Sequence, residues 1–206
     1  QLAYPTLFLL PVMLFFLVLQ RVEFGQPHLF AGMGWMAWLI AFATQYHLLY
    51  HAENVWPEKV LPPWHCGTLW LLLLAAALEC AYYADSLLSV GRTWQFCSWG
   101  VVPALFVLII LSKGERLKWP IGRFRDDYLG MGLALPVLYL FGWTVWANVT
   151  PGDPAPLPYV PILNPVVISQ ICLLVIVYRW VDQRSAWFKK IVPNLSVDIL
   201  KMILFG

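Results

Sequence analysis

The amino-acid sequence predicts an all-α protein, a polytopic transmembrane helix bundle of about six spans. Hydrophobic residues make up 61% of the 206-residue chain and charged residues only 12%, whereas soluble domains are nearer half apolar and a quarter charged. The mean hydropathy is +0.70, and the apolar residues gather into runs long enough to cross a hydrocarbon core about 30 Å thick, which takes roughly 20 helical residues. Twelve tryptophans and nine tyrosines fit aromatic belts at two membrane interfaces.

Six apolar runs are separated by polar or proline-containing connections, which predict spans at residues 2–19, 28–50, 67–84, 96–111, 128–147 and 162–181. Pro11 and Pro103 fall inside the first and fourth spans, where a proline removes a backbone hydrogen bond and favours a kink. Three prolines between the second and third spans are expected to hold residues 52–64 extended. Residues 182–206 predict an interfacial amphipathic helix in their first half, or the start of a seventh span.

Lysine and arginine predict the orientation. With six alternating spans, eleven of these bases fall on one side, five of them within residues 112–127, and only Arg21 and Arg92 fall on the other. Since cytoplasmic loops carry the excess of positive charge, we expect both ends of the segment in the cytoplasm and the proline-rich loop 150–161 outside. The chain begins at Gln1 and ends inside an apolar run, so we expect a segment of a longer polypeptide.

The third span contains one carboxylate, Glu79, within an otherwise apolar run. Ala75, Ala76, Glu79 and Tyr83 share one helix face, and small residues let a neighbouring helix approach closely. We therefore expect Glu79 to face protein.

The depth of Glu79 limits its partners. The alternation of spans places it in the outer half of the membrane, about 21 Å above the start of its helix at 1.5 Å per residue. The histidines at the inner end of the second span are then out of reach. The partners expected within reach are Arg92, Arg21 and His28.

An outer group of charged residues provides the catalytic candidates, which are Glu79, Asp85 and Arg92. A carboxylate where an outer loop meets a helix can serve as a general base or a metal ligand. The alternatives are binding of a substrate or proton at Glu79, or a structural ion pair that ties two helices together.

An inner group provides weak candidates for metal binding. His47 and His51 stand four residues apart on one helix, and His65 could add a third ligand from the next helix, close to Glu53 and Cys66. The alternative is that these are interfacial histidines bonded to backbone or water. No second strong ligand pair accompanies them, so the sequence predicts neither a metal site nor a cofactor.

The remaining composition excludes two classes of site. The four cysteines form no CxxC pair and fall in or beside apolar runs, which indicates small apolar residues rather than a disulfide framework or a zinc site. A net charge of +2 with scattered bases gives no sign of a nucleic-acid-binding surface.

The run from residue 116 to 170, and above all GDPAPLPYVPILNP at residues 152–165, resembles a bacterial family of large, many-spanning predicted membrane proteins with no assigned function. The resemblance implies a bacterial inner-membrane location and a chain with more spans than these six. It implies no catalytic residues.

Three functions follow as hypotheses. The first is a non-enzymatic module, an envelope scaffold or a component that handles a lipid or other amphipathic substrate; its partners would be membrane lipids, other membrane subunits or the rest of a longer chain. The second is a membrane-embedded enzyme acting on lipid-linked glycans, which needs a water-accessible outer cavity reaching Glu79 or Asp85. The third is an ion- or proton-coupled transporter using Glu79, which needs a polar path continuing inward from it.

Overall fold

The computed structural model describes residues 3–22, 28–88, 92–153, 155, 158, 160, 164–191 and 201, and every regular element within them is helical. The long helices are α1 Ala3–Val22, α2 Gly34–Ala52, α3 Leu61–Leu88 and α4 Arg92–Lys113. A 3-10 turn at Gly114–Arg116 leads to α5 Arg125–Asp127, a π-helical turn Tyr128–Gly132 and α6 Leu133–Ala147. The last helices are α7 Pro165–Gln183 and α8 Ser185–Ile191.

The described residues contain four helices that are long and apolar enough to cross a membrane: Leu61–Ser86, Thr93–Lys113, Arg125–Ala147 and Pro165–Gln183. Phe8–Gln20 is a shorter apolar helix. The C-terminal half of α2 carries Gln45, His47 and His51, which lower its hydropathy. The all-α prediction is confirmed, and by length and composition the structure supports four of the predicted spans.

Helix α3 begins at Leu61 rather than at Gly67, so the prediction that the chain stays extended as far as Trp64 is wrong. Pro62 and Pro63 lie in its first turn, where backbone N–H groups have no partner inside the helix and a missing N–H costs nothing.

The second helix begins later than predicted, because residues 28–33 form turns instead. Gly32 lies in the left-handed region with φ of 57°. At Gly34 a Cβ would collide with the carbonyl oxygen of Leu29, so only glycine fits where the chain turns into α2. This turn passes close to α3 and positions the backbone that Glu79 contacts.

The buried apolar residues form two clusters. One joins α1, α2 and α3 through residues such as Met13, Trp38 and Leu71. The other joins α4, α6 and α7 through residues such as Leu140 and Leu173. The bundle therefore consists of two groups of helices that meet where α3 packs along α4.

The two loops singled out by sequence lie at opposite ends of α4. Residues 114–124 follow its C-terminus, whereas at its N-terminus Trp94 Nε1 donates a 2.8 Å hydrogen bond to the carbonyl of Ala155 in the proline-rich loop. A helix of 22 residues is about 33 Å long. We call the end with residues 114–124 the basic end and the other the opposite end.

The segment after α7 continues as α8, whose Trp187 and Phe188 rings pack against Trp180. At Gly130 a Cβ would lie 2.5 Å from Trp187 Nε1, so a side chain there would displace the ring. Residues 192–200 and 202–206 lie outside the described residues, and with them the predicted start of a seventh span.

Candidate functional site

An apolar groove of about 630 Å³ lies between the two groups of helices. Helices α1 and α3 form one wall and α4 and α6 the other. Several lining residues, including Leu14 and Leu74, are partly exposed, so the groove is open to its surroundings. The lining residues are Leu10, Pro11, Leu14, Trp64, Gly67, Trp70, Leu71, Leu73, Leu74, Ala77, Trp99, Pro103, Leu135, Pro136 and Tyr139.

Prolines from three different helices line this groove, and each deprives its own helix of one backbone hydrogen bond. Pro136 has no N–H to donate to the carbonyl of Gly132, four residues earlier. Trp70 Nε1 of α3 donates to that carbonyl at 2.8 Å. A side chain from the facing helix thus satisfies the carbonyl that the proline leaves free, as buried backbone in lipid requires.

A similar arrangement occurs within the wall formed by α4 and α6. Pro103 leaves the carbonyl of Trp99 without its intrahelical donor, and the hydroxyl of Tyr139 on α6 donates to it at 3.0 Å. Other tryptophans also serve as interhelical donors: Trp143 Nε1 donates to the Phe96 carbonyl at 3.2 Å, and Trp180 Nε1 donates to the Leu129 carbonyl at 2.8 Å. Part of the aromatic content therefore braces the bundle from within.

Glu79 lies on α3 near the opposite end and is only 4% exposed. Its Oε1 accepts hydrogen bonds from the backbone N–H groups of Leu29 and Phe30, the latter at 3.1 Å. Its Oε2 lies 3.0 Å from His28 Nδ1, and the His28 ring stacks on Tyr82 with centroids 4.3 Å apart. The carboxylate thus holds the turn that leads into α2.

Glu79 faces protein, as predicted, and of the three predicted partners the structure pairs it with His28. Asp85 is exposed on the last turns of α3 and belongs to no described contact with Glu79. The side chains of Arg92 and Arg21 lie outside the described residues. Among the described side chains, Asp85 therefore makes no contact with Glu79, and a grouping of Arg92 with either of them stays a prediction.

A second polar cluster lies at the basic end, around the side chain of Glu53, which is 1% exposed. Trp119 Nε1 donates to Glu53 Oε1 at 2.5 Å, and Arg123 Nη1 lies 2.7 Å from Oε2. His65 Nδ1 lies 2.9 Å from the Tyr128 hydroxyl, and its Nε2 lies 3.9 Å from Glu53 Oε1 without a hydrogen-bond partner among the described residues. Glu53 thus fastens the 117–124 loop over the ends of α2 and α3.

The histidines predicted as weak metal ligands separate into two environments. His47 and His51 are exposed on α2, with ring centroids 4.5 Å apart. His65 is fully buried, and its ring packs against Phe124 at 4.5 Å. Within the described residues, no group of three or more His, Cys, Asp or Glu side chains could hold a metal ion. The four cysteines are free.

The geometry gives no support to the enzyme or transporter hypothesis at Glu79. The groove is lined by neither Glu79 nor Asp85. Along α3, every residue from Leu69 to Leu78 is apolar apart from the indole of Trp70, which is bonded to Gly132. The buried polar residues of α3 near the basic end, His65 and Thr68, are therefore separated from Glu79 by apolar turns.

Comparison with protein families shows which family the chain belongs to. A family described as predicted membrane protein, DUF2339, matches residues 1–205. The chain belongs to this family. No curated protein and no solved structure matches it. Membership of DUF2339 confirms the resemblance, carried above all by residues 152–165, to a family of membrane proteins without an assigned function.

Proposed function

We propose that this DUF2339 segment is a lipid-handling module that holds a hydrocarbon chain of a membrane lipid in the groove between α1, α3, α4 and α6. The observation that carries the proposal is the groove itself, an apolar volume within the size range of ligand sites, about 300–1,000 Å³. Its lining is almost entirely apolar, and the polar groups of Trp70 and Tyr139 are bonded to backbone carbonyls.

The dimensions favour an acyl chain as the occupant. The α3 lining runs from Trp64 to Ala77, about 20 Å at 1.5 Å per residue, which exceeds one leaflet of about 15 Å, half of the hydrocarbon core. The groove is therefore long enough to hold one extended acyl chain along its wall.

The proposal places the module in a bacterial inner membrane with six spans, of which α1 and α2 are the two beyond the four apolar ones. The basic end lies in the cytoplasm and the proline-rich loop outside, because positive charge is concentrated at one end. An impermeant label that reached residues 112–127 from outside intact cells would contradict this orientation. The rest of a longer polypeptide, or other membrane subunits, would pack around the module.

The proposal is tested with substitutions that block the groove. Leu14 and Leu74 are 49% and 39% exposed in its walls, whereas Ile171 on α7 is 55% exposed and does not line it. Leu14→Trp and Leu74→Trp place an indole where the chain would lie, and Ile171→Trp is the matched control. The protein is reconstituted with phosphatidylcholine bearing a photoreactive group in its acyl chain, and cross-linked peptides are quantified by mass spectrometry.

We expect the groove peptides of the native protein to capture several times more probe than the peptide around Ile171, because an enclosed chain stays beside its wall. Either groove variant should remove this excess, whereas Ile171→Trp should keep it. Equal labelling of groove and α7 surfaces in the native protein would overturn the proposal, and thermal unfolding confirms that each variant is folded.

A further inference from the structure

The groove is not centred between the two ends of α3. Its lining on α3 begins at Trp64, three residues after the start of the helix, and stops at Ala77, eleven residues before its last residue, Leu88. At 1.5 Å per residue these distances are about 5 Å and 16 Å. On α4 the lining residues are Trp99, seven residues after Arg92, and Pro103, ten residues before Lys113. The groove therefore comes within about 5 Å of the basic end on α3 and within about 10 Å of the opposite end on α4, so it approaches the basic end more closely.

Charge at the two ends differs in the same direction. Within the described residues, Lys and Arg at the basic end outnumber Asp and Glu, whereas the sequence at the opposite end has two bases, Arg21 and Arg92, and acids that include Glu79, Asp85 and Asp153. The bases of the basic end are Lys59, Lys113, Arg116, Lys118, Arg123, Arg125, Arg179, Arg184, Lys189, Lys190 and Lys201, and the acids are Glu53, Glu58, Glu115, Asp126, Asp127 and Asp182.

Several of the acids at the basic end are paired with bases of the same end. Glu53 is paired with Arg123, and Asp126 accepts from Arg184 at 3.0 Å. Each of these pairs also occupies one base, so the excess of bases over acids is unchanged. Lys59, Lys113 and the lysines of α8 are exposed, and so is Glu58, the residue before Lys59. Because bases outnumber acids there, the end that the groove approaches more closely presents positive charge to its surroundings.

We call the part of the groove at Trp64, nearest the basic end, its mouth. The residues around this mouth suit a membrane interface. Trp64 lines the mouth and packs edge-on against Trp56 with centroids 6.0 Å apart, and tryptophan is enriched at the headgroup level of bilayers. Lys59 is exposed in the turn just before α3, five residues ahead of Trp64. A lysine there lies at the level where a headgroup phosphate would stand above a chain in the groove.

The geometry points to an anionic phospholipid as the occupant, with its acyl chain in the groove and its phosphate at the basic end beside Lys59. This inference rests on the proposed function, and it adds the headgroup and the leaflet. Charge complementarity selects the headgroup, since an exposed base near an anionic surface attracts it. Tail burial alone would not distinguish headgroups.

The experiment compares two photoreactive lipids with the same acyl chain, phosphatidylglycerol and phosphatidylcholine, each reconstituted with the protein at equal mole fraction. The variants are Lys59→Gln and, as a matched control, Lys190→Gln, which removes an exposed base of the basic end on α8. Cross-linked groove peptides around Leu14 and Leu74 are quantified for each lipid, and both variants remove a surface charge only.

We expect the groove peptides to capture phosphatidylglycerol about fivefold more than phosphatidylcholine, the effect of one lysine near an anionic headgroup. Lys59→Gln should abolish that difference and leave phosphatidylcholine capture unchanged, whereas Lys190→Gln should preserve it. Equal capture of the two lipids by the native protein would overturn the headgroup assignment while leaving the groove proposal standing.

Two further outcomes separate the proposals. An equal loss of selectivity in Lys59→Gln and Lys190→Gln would overturn the placement of the phosphate beside Lys59. Capture of neither lipid above the level at Ile171 would overturn the proposed function itself, and the inference with it.

Discussion

Two buried glutamates, one towards each end of the bundle, are bound in different ways. Glu79 accepts from two consecutive backbone N–H groups and lies beside His28. Glu53 contacts side chains, the indole of Trp119 and the guanidinium of Arg123. The first carboxylate fixes the path of the main chain, and the second fastens a loop.

The surroundings of the two glutamates differ as well. The partners of Glu79 are buried or half-buried, and the apolar turns of α3 separate the site from the other end. Arg123, the partner of Glu53, has a side chain that is 56% exposed, and the neighbouring His65 keeps one nitrogen unpartnered among the described residues. The comparison teaches that a carboxylate in a span can be a structural acceptor, and that the cluster at the basic end is connected to the surface through the exposed guanidinium of Arg123.

The largest expected effect is the loss of the Glu79 carboxylate. Glu79→Ala leaves the N–H groups of Leu29 and Phe30 buried without an acceptor, at about 1–3 kcal/mol each. We expect the free energy of unfolding in detergent to fall by about 3–5 kcal/mol. Glu79→Gln should lose only about 1–2 kcal/mol, because its amide oxygen can still accept from both N–H groups.

The control for Glu79 is Asp85→Asn, six residues further along α3 and exposed, where we expect a change within about 0.5 kcal/mol. An Ala variant as stable as the native protein would show that Glu79 does not hold the turn. If Glu79→Gln kept the native stability but lost the protein's cellular function, the carboxylate would have a chemical role rather than a structural one.

The next effect in size concerns Glu53. Glu53→Gln weakens the contact with Arg123, so we expect faster amide hydrogen exchange in residues 117–124 and a loss of about 1–2 kcal/mol of stability. The amide oxygen can still accept from Trp119, which limits the loss. Glu58→Gln, an exposed glutamate in the neighbouring turn, is the matched control.

Slower or unchanged amide hydrogen exchange in residues 117–124 of the Glu53→Gln variant would show that Glu53 does not hold this loop. Faster exchange in residues 117–124 of the Glu79→Gln variant would show that the two glutamate sites are coupled. We expect no such coupling, because apolar turns of α3 lie between the sites.

Much of the Glu79 site could be predicted from sequence, because it depends on depth and helix face. The 1.5 Å rise placed Glu79 near His28, and the small residues on its face indicated contact with protein. The backbone donors could not be predicted, since residues 28–33 were expected to begin a helix and form turns instead. Gly32 and Gly34 were the signals for that turn.

The cluster at the basic end and the groove depend on contacts that sequence spacing does not encode. Glu53 and Trp119 are 66 residues apart, and their meeting requires the fold of the whole loop 114–124. The sequence singled out Glu53 and His65 but gave no sign of Trp119, Arg123 or Tyr128. Pro103, inside a predicted span, did mark a carbonyl that would be free, but the rotation of α6 determines which aromatic residue reaches it.

The smallest expected effect tests one of these aromatic contacts, the bond from Tyr139 to the carbonyl of Trp99. Tyr139→Phe should lower the free energy of unfolding by about 0.6 kcal/mol, a typical value for one side-chain hydrogen bond inside a membrane bundle. In a Pro103→Ala background the same substitution should cost nothing, because the backbone N–H that the alanine restores can then donate to the Trp99 carbonyl within the helix. The coupling measured by this double-mutant cycle should equal the single cost.

The matched control uses the other proline of the groove. Pro136→Ala supplies a donor for Gly132, whose carbonyl is held by Trp70 and not by Tyr139, so Tyr139→Phe should keep its full cost in that background. An equal cost in all three backgrounds would mean that the Tyr139 hydroxyl acts on some other group. A cost that disappears only beside Pro103→Ala would instead show that the proline and the tyrosine act as one unit within the wall formed by α4 and α6, and that the tyrosine keeps this wall free of an unpaired carbonyl.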